Sequence, residues 1–212
     1  MKPNVRCCSL VLALLIPGFG WTAEPMVYQV DEARSSMVIQ VGKSGLFSFA
    51  GHNHQIVVTT LQGQAVADPA ALEKSSVELL FPSSGLRVET AEEPAGDAPK
   101  VQEAMQGPKC LDAARFPEIK FHSTQVAGQA RGGGTYDLSI TGDLELHGVQ
   151  RSLTFPAKVQ ISNGNLTARG KFQIKQKDYG IDPISAAGGT VKVKNELTIE
   201  FSIVAKATAA SR

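Results

Sequence analysis

Residues 137–147 read DLSITGDLELH. Leu138, Ile140, Leu144 and Leu146 occupy one parity, while Asp137, Ser139, Thr141, Asp143, Glu145 and His147 occupy the other. Successive side chains of an extended chain point to opposite faces, so the stretch predicts an antiparallel strand with one buried and one wet face. The next segment, RSLTFPAKVQIS, repeats the pattern with Leu153, Phe155, Ala157, Val159 and Ile161, and NLTARGKFQIK continues it with Leu166, Ala168, Phe172 and Ile174. His147-Gly148 and Ser162-Asn163-Gly164-Asn165 separate the three runs, the second being a strong hairpin-turn signal.

The final run, VKVKNELTIEFSIVAKA, places Val191, Val193, Leu197, Ile199, Phe201 and Ile203 inward and Lys192, Lys194, Glu196, Thr198 and Glu200 outward. It is far longer than the usual strand of about five or six residues. Long alternating strands of this kind predict a tall closed barrel, all-β and antiparallel, of about eight strands. Earlier strands are expected at 26–32, 35–43, 54–66, 76–82 and 117–127. Small residues on the inner faces (Ala157, Ala168, Gly170, Ala205) leave volume near the axis, as either a tunnel or a narrow taper would require.

Helical signals are confined to the middle of the chain. Asp68-Pro69 precedes good helix formers, and APKVQEAM, followed by GPKCLDAARFP, predicts a short helical insertion near residues 96–115.

Residues 1–23 have the three parts of a secretory signal: Lys2 and Arg6, the apolar CCSLVLALLI, and a small-residue region ending at Ala23. The expectation is a periplasmic protein with a single domain over 24–212. The apolar run is short of the roughly 20 residues of a spanning helix, and no later segment approaches that length. Without Lys2 and Arg6 the 21 basic residues fall to 19 against 20 acidic ones, with no long run of one sign. That balance argues against nucleic acid or an anionic membrane surface as partner. Cys7 and Cys8 leave with the signal, so Cys110 stands alone and is read as a small buried hydrophobe.

Several ordered segments resemble one known family. YQVDEARSSMVIQV, LDAARFPEIKFHSTQV, ITGDLELHGVQRSLTFPAKV and FQIKQKDYGIDP are similar, in this order and spacing, to YceI-like exported bacterial proteins over about Tyr28 to Ala205. The most specific elements are Phe116-Pro117-Glu118-Ile119-Lys120-Phe121 and Gly142-Asp143-Leu144 through Leu146-His147-Gly148-Val149. Asp178-Tyr179-Gly180-Ile181 matches a third, where the family usually has phenylalanine in place of Tyr179. Asn195 stands near a position that is often acidic in the family.

The resemblance implies an elongated lipocalin-like barrel whose interior holds a long apolar chain, a polyisoprenoid or isoprenoid quinone. The inward residues Leu138, Ile140, Leu144, Phe155, Val159, Phe172, Ile174, Leu197, Ile199 and Phe201 are then the expected wall of the ligand site. His52, His54 and Tyr179 are the expected headgroup contacts at the mouth. His52 and His54, at i and i+2 of an extended chain, share a face. They support a rival reading as a divalent-metal or haem-linked redox site. A third reading has the barrel filled solid by its own side chains. No nucleophile elbow, phosphate loop or zinc-protease signature is present, so a binding protein is expected rather than an enzyme. No cofactor is required beyond the lipid. Oligomeric state, a homodimer included, stays open.

Overall fold

A computed structural model describes residues 25–44, 54–90, 96–186 and 191–208. The 1–23 segment and His52 lie outside them. In chain order the strands are β1 (Met26–Val30), β2 (Ser36–Ser44), β3 (His54–Val58), β4 (Gln62–Ala67), β5 (Ser76–Pro82) and β6 (Leu86–Val88). The helix α1 (Ala98–Gln106) follows, then β7 (Glu118–Gly132), β8 (Thr135–Leu146), β9 (Val149–Ser162), β10 (Asn165–Lys175), β11 (Ser185–Ala186) and β12 (Val191–Ala207).

The order β1-β4-β5-β7-β8-β9-β10-β12 closes on itself, because β12 also pairs with β1 through Tyr28↔Ala207 and Val30↔Ala205. The result is a closed eight-stranded antiparallel barrel with one short helix. The rest of β12 pairs with β2, from Ser202↔Ser36 to Lys192↔Ser44, and β2 carries β3 and then β6. The pairs β1/β2, β3/β4 and β5/β6 are therefore three long strands, each kinked once.

The structure departs from the expected strand boundaries at the break between β3 and β4, in the additional short strands β6 and β11, and at β7, which runs on to Gly132 beyond the expected end at 127. The run 54–66 is interrupted at Thr59–Leu61, where the backbone N–H and the hydroxyl of Thr59 both donate to the Gly85 carbonyl at 2.9 Å. Ser83, only 2% exposed, donates its hydroxyl to the Phe116 carbonyl and its N–H to the Pro117 carbonyl, fixing the turn before β6 against the start of β7. At Asp68-Pro69 the chain forms a side-chain-closed turn instead of a helix. Asp68 Oδ1 accepts the N–H groups of Ala70 and Ala71 at 3.0 and 2.9 Å, and one 3-10 turn, Leu72–Lys74, follows. Val66 pairs with Ser76, and these turns close the connection between them.

The hairpins at His147-Gly148 and Asn163-Gly164 have positive φ at both central residues, the geometry that matches strand twist. The core centres on Phe121, Phe155, Phe172 and Phe201. Phe155 stacks on Phe172 at 4.7 Å between centroids and meets Phe121 at 5.4 Å and Phe201 at 5.8 Å. Two of these rings lie on bare backbone. A Cβ on Gly170 would come within 2.5 Å of both the Phe201 ring and the Pro156 carbonyl oxygen, and one on Gly142 within 2.5 Å of the Phe121 ring. Gly170 thus makes room for a neighbour's ring and not for the axial space expected of it.

Gly170→Ala should lower unfolding stability by about 1–3 kcal/mol through overpacking. Urea denaturation should show a lower midpoint at unchanged slope; an unchanged midpoint would mean that the ring can move aside.

Candidate functional site

The barrel encloses a cavity of about 510 Å³. Its wall is built from the inner parity of the strands. Leu138, Ile140, Leu144, Phe155, Val159, Phe172, Ile174, Leu197, Ile199 and Phe201 all line it. Of the small inward residues, Ala168 and Ala205 border the space, whereas Ala157 and Gly170 do not. The volume lies within the range of ligand pockets, about 300–1,000 Å³.

One side of the wall is not sheet. β5 pairs with β7, but β6 does not continue that pairing. The segment from α1 to Leu111 fills the gap, placing Val101, Ala104, Met105, Cys110 and Leu111 on the cavity. Gln102 attaches α1 to β6 as a neighbouring strand would. Its Nε2 donates to the Leu86 carbonyl at 2.9 Å, and its Oε1 accepts the Val88 N–H at 2.8 Å. Burial pushes the Cys110 thiol up to about 11, which keeps it protonated and weakly nucleophilic at neutral pH. The helical insertion was legible in sequence, but not its part in the wall, because the missing strand partner of β6 is a tertiary fact.

The ends of the cavity differ. At the lower end, where β4 ends and β5 begins, Asp68, Ser75 and Ser76 border it. At the upper end, where β2 ends and β3 and β12 begin, Lys43, His54, Gln176 and Lys192 border it. The segment after β10 folds over this end. Gln176, buried, donates Nε2 to the Lys194 carbonyl at 2.7 Å, and Asn195 Oδ1 accepts the Lys177 N–H at 3.0 Å. The side-chain oxygen of Asn195 thus ties the segment after β10 to β12.

His54, expected at the mouth, lines the cavity, and its former companion His52 lies outside the described residues. Tyr179 is 2% exposed and packs behind the upper end without bordering the cavity; its carbonyl accepts a bond from His147 Nδ1 at 3.2 Å. His147 also meets Phe116 edge-on at 4.6 Å, and His122 lies outside the barrel against Glu78 at 3.3 Å. Among the described residues no three His, Cys, Asp or Glu side chains converge as a metal site. Lys192, on the outer parity by alternation, is exposed yet borders the mouth. A register shift between Val193 and Leu197 breaks the ladder there.

A family model described as a YceI-like domain matches residues 28–205. A UPF0312 protein of Shewanella denitrificans is 27% identical over 206 residues, covering 94% of this chain and 98% of its own length. Another, from Vibrio campbellii, is 26% identical over 158 residues, or 74% of each chain. Among solved structures, BcnA of Burkholderia cenocepacia superposes with a TM-score of 0.63 at 21% identity, covering 84% of this chain and 99% of its own. A polyisoprenoid binding domain from Saccharophagus degradans superposes at 0.62 with 14% identity, covering 86% and 99%. At these identities the two structures establish a shared fold.

Burial, and next the charge of Asp178, push the Tyr179 phenol up to about 12 from its ordinary 10.0. The unfolded chain releases that proton near 10 while the folded protein keeps it, so stability should fall as pH rises from 10 toward 12. Unfolding midpoints across this range should drop more steeply for the natural protein than for Tyr179→Phe; parallel curves would show that the phenol ionises freely in the fold.

Proposed function

The chain belongs to the YceI-like domain family, and we propose that it is a periplasmic binding and carrier protein whose barrel holds the long apolar tail of an isoprenoid lipid. The observation that carries this reading is the cavity itself, which runs inside a closed barrel from Asp68 to Lys43 between aliphatic and aromatic walls. A polar substrate would lose its hydration there without replacement hydrogen bonds. A hydrocarbon tail gains about 0.8 kcal/mol for each buried CH₂. The gain is offset by about 4–15 kcal/mol of lost translational and rotational freedom, so affinity grows with chain length.

Branched, unsaturated chains suit this wall. The rings of Phe121, Phe155, Phe172 and Phe201 present flat faces and edges beside the methyl-bearing side chains of Leu138, Ile140 and Ile199. The polyisoprenoid binding of the Saccharophagus degradans domain, on the same fold, supports the choice of chain class. An isoprenoid quinone is one such ligand. The signal-like pattern of residues 1–23 supports export to the periplasm. The role proposed is to bind, shield and hand on the lipid rather than to transform it.

Native mass spectrometry of protein purified without delipidation should show a mass excess that organic extraction removes and added prenol restores. Ala168→Trp, which places an indole in the cavity, should abolish the uptake while circular dichroism stays unchanged. A natural protein that neither retains nor takes up any lipid would refute the carrier role.

A further inference from the structure

The lower half of the barrel closes through hydrogen bonds, because β12 reaches β1. The upper half does not. There the order runs β12-β2-β3-β6, and among the described residues β6 has no strand beside it except β3. Thr59 donates its N–H to the Gly85 carbonyl and Glu89 to the Gln55 carbonyl, which marks the bonded positions of the β3/β6 pair. The Leu86 carbonyl and the Val88 N–H fall between them and face the open edge. Gln102 takes both with the two ends of one amide, at 2.9 and 2.8 Å. Gln106 adds only long contacts of 3.4 Å to the Leu86 carbonyl and 3.5 Å to the Ser84 carbonyl. A side-chain amide on α1 thus stands where the peptide group of a further strand would stand.

That attachment is slight beside a ladder such as β10 to β12, which is paired from Asn165↔Lys206 to Lys175↔Glu196. With nine residues, α1 is short of the roughly 12–15 below which isolated helices are marginal in water. Asp97 at its start makes no side-chain cap bond. Its other end is tied down, since Leu111 and Ala113 donate their N–H groups to the Met105 and Gln106 carbonyls at 3.0 and 3.1 Å. Lifting the Ala98 end frees the two β6 groups at an edge, where water replaces the lost bonds. Both ends of the cavity, by contrast, are crossed by packed chain. The 3-10 turn Leu72–Lys74 lies against β7 at the lower end. Gln176, Tyr179 and Ile181, all buried, belong to the segment folded over the upper end.

We propose that α1 is the entrance of the barrel, a panel that swings from β6 about its tied end and admits the lipid through the side of the wall. This route rests on the carrier role and adds to it how the tail gets in. Val101 and Met105 turn apolar side chains to the cavity, so an entering hydrocarbon meets an apolar lining along the opened edge. Gln102 does not border the cavity. Its two bonds govern how often the panel opens and leave the contacts of a bound lipid untouched. Weakening them therefore speeds entry and exit together and leaves affinity where it was.

Stopped-flow fluorescence of the neutral dye N-phenyl-1-naphthylamine, on the full chain freed of lipid, reads uptake on mixing and release into excess of the prenol farnesol. Gln102→Ala should raise both rates roughly tenfold, equivalent to about 1.4 kcal/mol of lost attachment, with the half-saturating dye concentration unchanged. Gln102→Glu keeps an acceptor for the Val88 N–H and loses the donor to the Leu86 carbonyl. It should speed both rates as well, and it serves if the alanine variant fails to fold. Asn195→Ala removes the bond to the Lys177 N–H over the upper end and should leave both rates as they are. Unchanged rates in the two Gln102 variants, acceleration by Asn195→Ala instead, or a shift of affinity through release alone would overturn the side entrance with the carrier role intact. A natural protein that takes up neither dye nor farnesol would overturn the two together.

Discussion

The structure depends on the hydrogen-bonding reach of β12. One of its edges pairs with β10 from Asn165↔Lys206 to Lys175↔Glu196. The other edge is shared, β1 taking the end near Ala207 and β2 the stretch from Ser202 to Lys192. Seventeen residues of extended chain at about 3.3 Å each make this strand the full height of the barrel. A shorter strand would serve β1 or β2 but not both, and the sheet would be left with open edges. Closure also decides the chemistry of the interior, since it turns the apolar parity of the described strands toward a common cavity.

The interior is neither solid nor loose. Four phenylalanine rings meet near the middle, and two of them reach their positions because a glycine lies beneath: Gly170 under Phe201 and Gly142 under Phe121. The rings are drawn toward the wall and away from the axis, which leaves space between opposite walls while each wall stays densely packed. Small residues therefore act in two distinct ways. Ala168 and Ala205 border open volume directly, whereas Gly170 makes volume available at one remove, by letting a large neighbour lie flat.

Much of this was legible in the sequence, for physical reasons that differ along the chain. From β8 to β10 the alternation is strict and the turns are local, so Leu138, Ile140 or Val159 could be assigned to the inner face from parity alone. The first third was less legible. The kinks between β3 and β4 and between β5 and β6 are held by contacts such as Thr59 to Gly85 and Ser83 to Phe116, which join residues distant in sequence. The proline and glycine signals near them are compatible with several turns. At the mouth, alternation puts Lys192 outside, and the structure leaves it exposed at the edge of the cavity. His54 and Lys43 continue apolar stripes on the inner parity, a pattern distinct from the same-face spacing of His52 and His54.

The seam Tyr28↔Ala207 joins strands from opposite ends of the described chain. The meander from β7 to β10 is built of neighbours in sequence, so it can form early and locally, while the seam carries a large loop-closure entropy and forms late. Until then the sheet is an open curved surface whose apolar face has no counterpart and whose two edges are unpaired. The cavity therefore has no inside until that seam pairs, and its interior is created by the last long-range contact of the fold.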